Sequence, residues 1–523
     1  MPLREKFETI LAPVGGLDLR RPPTMLDPRK TPFTRNTTLQ FGEVRKRFGR
    51  TQFSGSASPI LFGGSGTPAI MHIDQFFRTD GTDFLLAWST KKVGSYNSGT
   101  DDFTNRTIQV AGVDVDFTGD EDDVFTADYY PATDRFYWTN YVDSIQEWDG
   151  TTARAVNLYT AATLRARVVR TFQNHLNFYD CVDGGTVVRQ RVKWTDAAVT
   201  TLTGGTSGSA DLRDGSDWVL NAVQLGSKMA IYKERSIVIQ EHVGGSIVYR
   251  FTTKITGIGL AAERCVADLG GEHIFLGSDL NVYRFDGGPD IVPIGDEIQS
   301  ELRATVDATN GSRSFMHIVE ELNEVWLCIV ETGDTLPDRI YKWNFIDKTW
   351  STDSLAHAAG AMGYYRRTST TSWNNAAGTW DSQVARWDDR TFSTNAPTNL
   401  MGSSVGKLTE WSQNQFNDDG STMDVIFDTP DLTSGDNYTR TFRRYFDFNF
   451  EAKGTAVDVY YSTDEGATYV LLETVTLTGN WTRYNVECDL TYQKVRFRLR
   501  NNVSNGQLNA RSFEIGYVDQ GIL

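Results

Sequence analysis

Short apolar segments, either alternating with polar residues or continuously apolar, recur along this chain, and seven of them end on a bulky residue at a spacing of roughly 45 to 58 residues. The copies end at Tyr96, Trp148, Trp194, Ile239, Phe285, Trp343 and Trp387. In four of them a polar turn follows directly: Trp148-Asp149-Gly150, Phe285-Asp286-Gly287, Trp343-Asn344 and Trp387-Asp388-Asp389. Asp, Asn and Gly supply the side-chain bonding and the permissive backbone that a tight reversal requires. Each copy carries a hairpin, as in Arg135–Asn140 followed by Ser144–Trp148, Lys228–Tyr232 followed by Ser236–Ile239, and His273–Leu276 followed by Asn281–Phe285. Small sheets of this kind have an apolar face too large to leave in water, and a radial array buries each against the next. The pattern predicts a β-propeller of five to seven blades over residues 56–404.

Beyond residue 405 the period stops and longer alternating strands begin. Val495, Phe497 and Leu499 fall on one face of a strand, with Arg496, Arg498 and Arg500 on the other. Val457, Val459 and Tyr461 alternate with Asp458 and Tyr460 in the same way. Residues 405–523 therefore read as an antiparallel β-sandwich. At the other end, Pro22, Pro23, Pro28 and Pro32 interrupt regular structure, and residues 1–55 read as an extended arm. The expected fold class is all-β, a propeller followed by a C-terminal sandwich.

A chain of 523 residues exceeds what one core accommodates, and 12% aromatic residues with 46 glycines favour strands and turns over helices. The net charge of -16 argues against a general nucleic-acid binder. That charge is uneven: residues 1–50 hold eleven Lys or Arg against five acids, which leaves the remainder at -22. The basic arm is expected to dock on an acidic neighbour. Cys181, Cys265, Cys328 and Cys488 lie far apart, in no metal-binding spacing, and are expected to be reduced core residues. Neither a signal peptide nor a membrane-spanning run is expected, so no membrane insertion by this chain is foreseen.

Candidate chemistry is sparse. The six histidines are isolated, and no phosphate loop, dinucleotide fingerprint or nucleophile elbow occurs. Neither a metal site nor a cofactor is expected. The acidic run Asp114, Asp116, Asp120, Glu121, Asp122 and Asp123 opens in the style of a calcium loop, but Phe125 stands where a bidentate Glu is required. Ser462-Thr463-Asp464-Glu465-Gly466 resembles the Asp-box of sialidase-like propellers, which shapes a turn and performs no catalysis. A pair of carboxylates suited to glycoside hydrolysis leaves no linear trace, and a carbohydrate-active, receptor-binding tail protein is the alternative reading.

The stretch Ala12–Arg20 followed by Phe41–Gly49, together with Ile258-Gly259-Leu260, Phe275-Leu276-Gly277 and Tyr283–Gly288, resembles the tail nozzle or tail hub proteins of short-tailed bacteriophages, also called tubular tail or packaged-DNA stabilisation proteins. The resemblance spans most of residues 10–300. The region Gly479–Tyr484 to Ser512–Tyr517 is similar to sandwich modules appended to phage tail proteins. The resemblance implies a non-enzymatic virion protein, assembled in the host cytoplasm, that forms a cyclic homo-oligomer, commonly a hexamer. Such a ring would continue and close the DNA exit channel below the portal or adaptor and would meet tail fibres or other tail proteins. Physical reasoning adds one constraint: the hole of a single propeller is too narrow for duplex DNA, so a conduit has to lie between subunits. For interfaces the candidates are Arg45, Lys46 and Arg47 in the arm and Arg496, Arg498 and Arg500 on the late strand.

Overall fold

The structure is a computed structural model that describes residues 6–10, 15–53, 68–245, 247–366, 397–433 and 441–522. The chain is all-β; its one α-helix among the described residues is Gln299–Thr305. No helix of the described residues is long and apolar enough to cross a membrane.

Among the described residues six four-stranded antiparallel sheets follow one another, each with its strands in sequence order. They span Ile70 to Asn105, Thr126 to Asn157, Leu164 to Asp211, Val219 to Thr256, Val266 to Pro293 and Phe315 to Ser354. The six repeat residues from Tyr96 to Trp343 all fall on the third strand of their sheet: Val93–Asn97, Gln146–Trp148, Thr186–Trp194, Ser236–His242, Val282–Phe285 and Arg339–Asn344. The turns read from the sequence are present. Asp149 Oδ1 accepts the amides of Thr151 and Thr152 at 2.9 and 2.8 Å, and Gly150 takes a φ of 76°. Asn344 Oδ1 accepts those of Ile346 and Asp347 at 3.0 and 2.9 Å. The copy at Trp387 lies outside the described residues, as do Arg4 and Ala12 to Val14. A further sheet begins with Ala359–Tyr365, Thr398–Ser403 and Leu408–Ser412.

Where the sequence suggests three consecutive segments, the chain divides instead into two discontinuous compact units. One holds residues 52–259 and 357–411, the other 1–51, 260–356 and 412–523. In the first, the opening strands of successive sheets lie against one another in the order Ala359–Tyr365, Ile70–Phe77, Thr126–Tyr130, Leu164–Phe172 and Val219–Leu225. Neighbouring sheets share apolar cores: Val168, Tyr179 and Trp194 pack with Met229, Ile231 and Tyr249, while Ile70 and Leu85 pack with Ala361 and Leu400. Each sheet thus buries its apolar surface against the next, at roughly 25 cal/mol per Å² removed from water.

In the second unit two antiparallel sheets share one core. The first runs Thr482–Tyr492, Phe442–Gly454, Leu508–Ile522, Glu43–Lys46 and Thr37–Gln40, with Lys6–Ile10 also paired to Leu508–Ile522. The other runs Thr34–Arg35, Val425–Asp428, Lys494–Asn501, Ala456–Ser462 and Val470–Thr476. Phe448 stacks on Phe497 at 5.0 Å and Phe427 on Phe513 at 5.8 Å, one ring of each pair coming from each sheet. The N-terminal segment is therefore no free arm. Its prolines break it into short pieces, and both sheets take strands from it.

Candidate functional site

The cationic side chains singled out by the sequence are placed by β alternation. In the strand Lys494–Asn501, Val495, Phe497 and Leu499 are buried in the shared core. The arginines face a line of carboxylates from the neighbouring segment. Arg500 Nε donates to Asp424 Oδ1 at 2.7 Å, Arg498 grips Asp428 through Nε and Nη2 at 2.6 and 2.9 Å, and Arg496 Nε donates to Asp431 Oδ1 at 2.7 Å. Asp428 is fully buried and also accepts the Tyr469 hydroxyl at 2.6 Å, while the Arg498 guanidinium lies 3.5 Å from the centre of that ring. Burial works against the Arg496 charge, but the hydrogen bond and charge of Asp431 outweigh it and raise its pKa. Burial, then the Asp428 charge, pushes the Tyr469 hydroxyl up.

Arg45, Lys46 and Arg47 sit on or just after the strand Glu43–Lys46. Arg45 Nε donates to Glu43 Oε2 at 2.7 Å and its side chain is partly exposed. Lys46 points inward, with Nζ 3.0 Å from Asn501 Oδ1 and 3.3 Å from the Val503 carbonyl. Burial first, and then the Arg47 charge, lower its pKa to about 8. Arg47 is buried. Its Nη1 donates to Asp418 Oδ1 at 2.9 Å, its Nη2 bonds the other oxygen of that carboxylate, and its Nε lies 3.5 Å from Asp353 Oδ2. Lys342 Nζ reaches Asp353 Oδ1 at 3.0 Å. Asn36, with a φ of 55°, completes the bracket: Oδ1 accepts from Arg47 Nε and from the Ser354 amide, both at 3.1 Å, and Nδ2 donates to the Asp424 carbonyl at 2.9 Å. All six candidate cations therefore bond within this chain, and Arg45 and Arg500 keep the most exposure, 37% and 35% of their side chains.

The acidic features resolve in a similar way. Asp464 accepts from the Thr468 hydroxyl at 2.5 Å, the Thr468 amide at 2.9 Å and the Ser462 hydroxyl at 2.7 Å, which closes the turn between Ala456–Ser462 and Val470–Thr476 and lowers its carboxyl to about 2. Asp114 meets Arg154 at 3.1 Å and Lys92 at 3.5 Å, and Asp116 meets Lys92 at 3.5 Å. Among the described residues, the carboxylates whose oxygens do converge are Glu331, Asp334 and Asp338, within 4.8 Å of one another. Burial raises the Glu331 and Asp338 carboxyls, with neighbouring acids adding to it and Arg339 opposing. Sequence reasoning passed over this trio, whose only linear trace is the spacing of three acids over eight residues. A second acidic pair, Asp74 and Asp128, lies on adjacent opening strands; burial, then the Asp128 charge, raises Asp74 to about 7. All four cysteines are buried free thiols whose pKa burial raises.

An open groove of about 740 Å³ lies at the edge of the third and fourth sheets, lined in part by Val187, Arg189, Gln190, Arg213 and Trp218. The Arg189 guanidinium lies 4.1 Å from the centre of the Trp218 ring. No motif announces it, because its walls come from a strand, Thr186–Trp194, and the loop before Val219–Leu225.

No family model and no curated protein matches this chain. Among solved structures it is similar to the computationally designed Ika8 protein, at 9% identity over 64% of this chain and 82% of that one with a TM-score of 0.34. It is also similar to YCF48 bound to a D1 peptide, at 9% identity over 67% of this chain and 93% of that one with a TM-score of 0.38.

Proposed function

We propose that the chain is a non-enzymatic structural protein of a bacteriophage tail, a nozzle or hub subunit that forms a cyclic homo-oligomer around the DNA exit channel. In this reading the repeated sheets are blades of a β-propeller and the two C-terminal sheets a β-sandwich. The ring, of six copies, continues the portal or adaptor, meets tail fibres or other tail proteins, and lets DNA pass without sequence-specific contact or membrane insertion by this chain.

The observation that carries the reading is the use made of the cations. Arg47, Arg496, Arg498 and Arg500 are each held by carboxylates of the same chain, so these groups are withheld from phosphate. A conduit wall has to let DNA slide, and net negative charge with these arginines bound internally weakens its adhesion. The N-terminal strands paired into both C-terminal sheets support a subunit built to stay rigid under load.

Native mass spectrometry and electron microscopy of the purified full chain test this. The expected result is a closed ring near six copies with a central opening wider than duplex DNA. A monomer, or a trimer that cleaves polysaccharide, overturns it.

A further inference from the structure

Two surfaces of the unit that holds residues 52–259 complement each other. Between the first and second sheets a small hairpin, Gln109–Val110 paired with Val113–Asp114, stands apart from any larger sheet. Its turn residues Ala111 and Gly112 take positive φ, the conformation a two-residue reversal requires. Val110 and Val113 are 64% and 68% exposed, and Val115 is 38% exposed. Scattered exposed apolar residues are ordinary, but three within six positions of one hairpin are a concentration. The base is fixed: Gln109 Nε2 and Asn105 Nδ2 donate to Asp114 at 2.8 and 2.7 Å, and the Thr118 amide donates to Asp143 at 3.0 Å. The valines are thus carried on an anchored projection, followed by Asp116, Asp120 and Glu121.

The groove beside Trp218 has the opposite character. Val187 is 55% and Trp218 44% exposed. Arg189 lies over the Trp218 ring, and the carboxylate whose charge acts on it, Asp180, is itself bound to Arg167 Nε at 2.8 Å. Arg213 touches Asp211 at 2.7 Å but its side chain is 73% exposed. Gln190 Nε2 pins the far wall by donating to the Gly215 carbonyl at 2.7 Å. A cation stacked on an indole, next to exposed apolar surface, suits a partner that brings both carboxylates and small apolar side chains.

We propose that the occupant is a second copy of this chain, whose Val110–Val113 hairpin enters the groove with its valines against Trp218 and Val187 and its acidic flank against Arg189 and Arg213. A free polyanion is disfavoured by the net charge of -16, which repels it at long range. The hairpin supplies negative charge on an apolar tip, so local attraction coexists with overall repulsion. Because hairpin and groove are different surfaces, the contact is heterologous: each copy gives one and takes one, and the chain of contacts closes into a ring. The inference rests on the ring reading above and names the contact that would build it.

Two full-length variants test it, V110K/V113K in the hairpin and R189E in the groove, each checked by circular dichroism for native strand content. R213E serves as a second groove variant should R189E unfold. Light scattering coupled to gel filtration is expected to show each variant alone dissociating at a protein concentration at least tenfold higher than the wild type. An equimolar mixture is expected to give a one-to-one heterodimer, since one intact hairpin and one intact groove remain. A wild-type ring that neither variant disturbs, or a mixture that stays monomeric, overturns this contact and leaves the ring reading standing. A monomeric wild type overturns both, and a wild-type dimer weakened by both variants upholds the contact while refuting the ring.

Discussion

Replacing Arg47 by Met tests whether the N-terminal segment is locked into its own chain by a buried charge bracket. The guanidinium is fully desolvated, binds both oxygens of Asp418 and lies beside Asp353. Met removes the charge while keeping much of the volume, which leaves Asp418 buried without its bidentate partner; Asp353 retains Lys342 at 3.0 Å. Breaking one partner of a buried pair costs about 3–5 kcal/mol. With Asp353 still attended, the lower end, about 3 kcal/mol, is the expected value, equivalent to roughly a hundredfold in the opening equilibrium. The reporters are local: the Arg47 amide donates to the Asn36 carbonyl at 3.1 Å and the Asn36 amide to the Thr352 carbonyl at 2.9 Å. Hydrogen-exchange mass spectrometry of peptides covering residues 34–47 reads their opening directly, without requiring the whole chain to unfold in one step. The double variant Arg47→Met/Asp418→Leu is expected to recover part of the protection, because the pair leaves together while buried Arg50 loses the Asp418 charge that opposes its desolvation. Protection within about threefold of wild type in the single variant, or no recovery in the double, refutes the bracket.

Three further outcomes follow from the same geometry. Lys46, lowered to about 8 by burial and then by Arg47, binds fewer protons folded than unfolded between that value and 10.5, so its contribution to stability rises across that window; the wild type should gain stability there relative to Lys46→Met, as urea midpoints at pH 7 and 10 would show, and parallel curves would contradict it. Asp74, raised to about 7 by burial and then by Asp128, has the reverse sign: the folded chain holds a proton that the unfolded chain releases, so stability is lost as pH rises from 4 through 7, and Asp74→Asn should flatten that loss in a thermal-unfolding series. Asp464→Ala removes the acceptor of the Thr468 amide and should open the turn to limited proteolysis near residues 464–468, a cut that Asp464→Asn largely avoids; equal cutting in wild type and Ala variant would deny the turn its anchor.

The parts of this molecule that were legible in the sequence are those written by local rules. A strand's period of two and a turn's demand for Asp, Asn or Gly operate within a few residues, so the third strands from Tyr96 to Trp343 and the two faces of Lys494–Asn501 could be read directly. The partners of the charges could not, because Arg47 and Asp418 lie 371 residues apart and Arg496 and Asp431 65 apart. The proline-broken N-terminal segment misled for a related reason: its strands Thr34–Arg35, Thr37–Gln40 and Glu43–Lys46 are too short to signal themselves, and although the last two pair locally with each other, the segment joins its sheets only through pairing with distant strands.

That non-locality changes what the charge of the chain means. Eleven cations in the first fifty residues look, in sequence, like an arm offered to an acidic neighbour. Folded, Lys46 and Arg47 are inside and Arg47 neutralises carboxylates of the same chain, while Arg20, Arg21 and Arg29 are exposed, so only part of that positive charge is offered outward. A neighbour seeking cations would find them on the second strand pair of the third sheet and the loop beyond it, where Arg189 and Arg213 stand beside Trp218 with little internal competition. Association between copies that repel overall then depends on a few such places, and salt should act in two directions. Screening weakens the long-range repulsion, with a Debye length of about 8 Å at physiological ionic strength, and also weakens exposed ion pairs, while the apolar contact of valine with indole is unaffected. A ring built this way should therefore tolerate high salt and fall apart when the apolar tip is replaced.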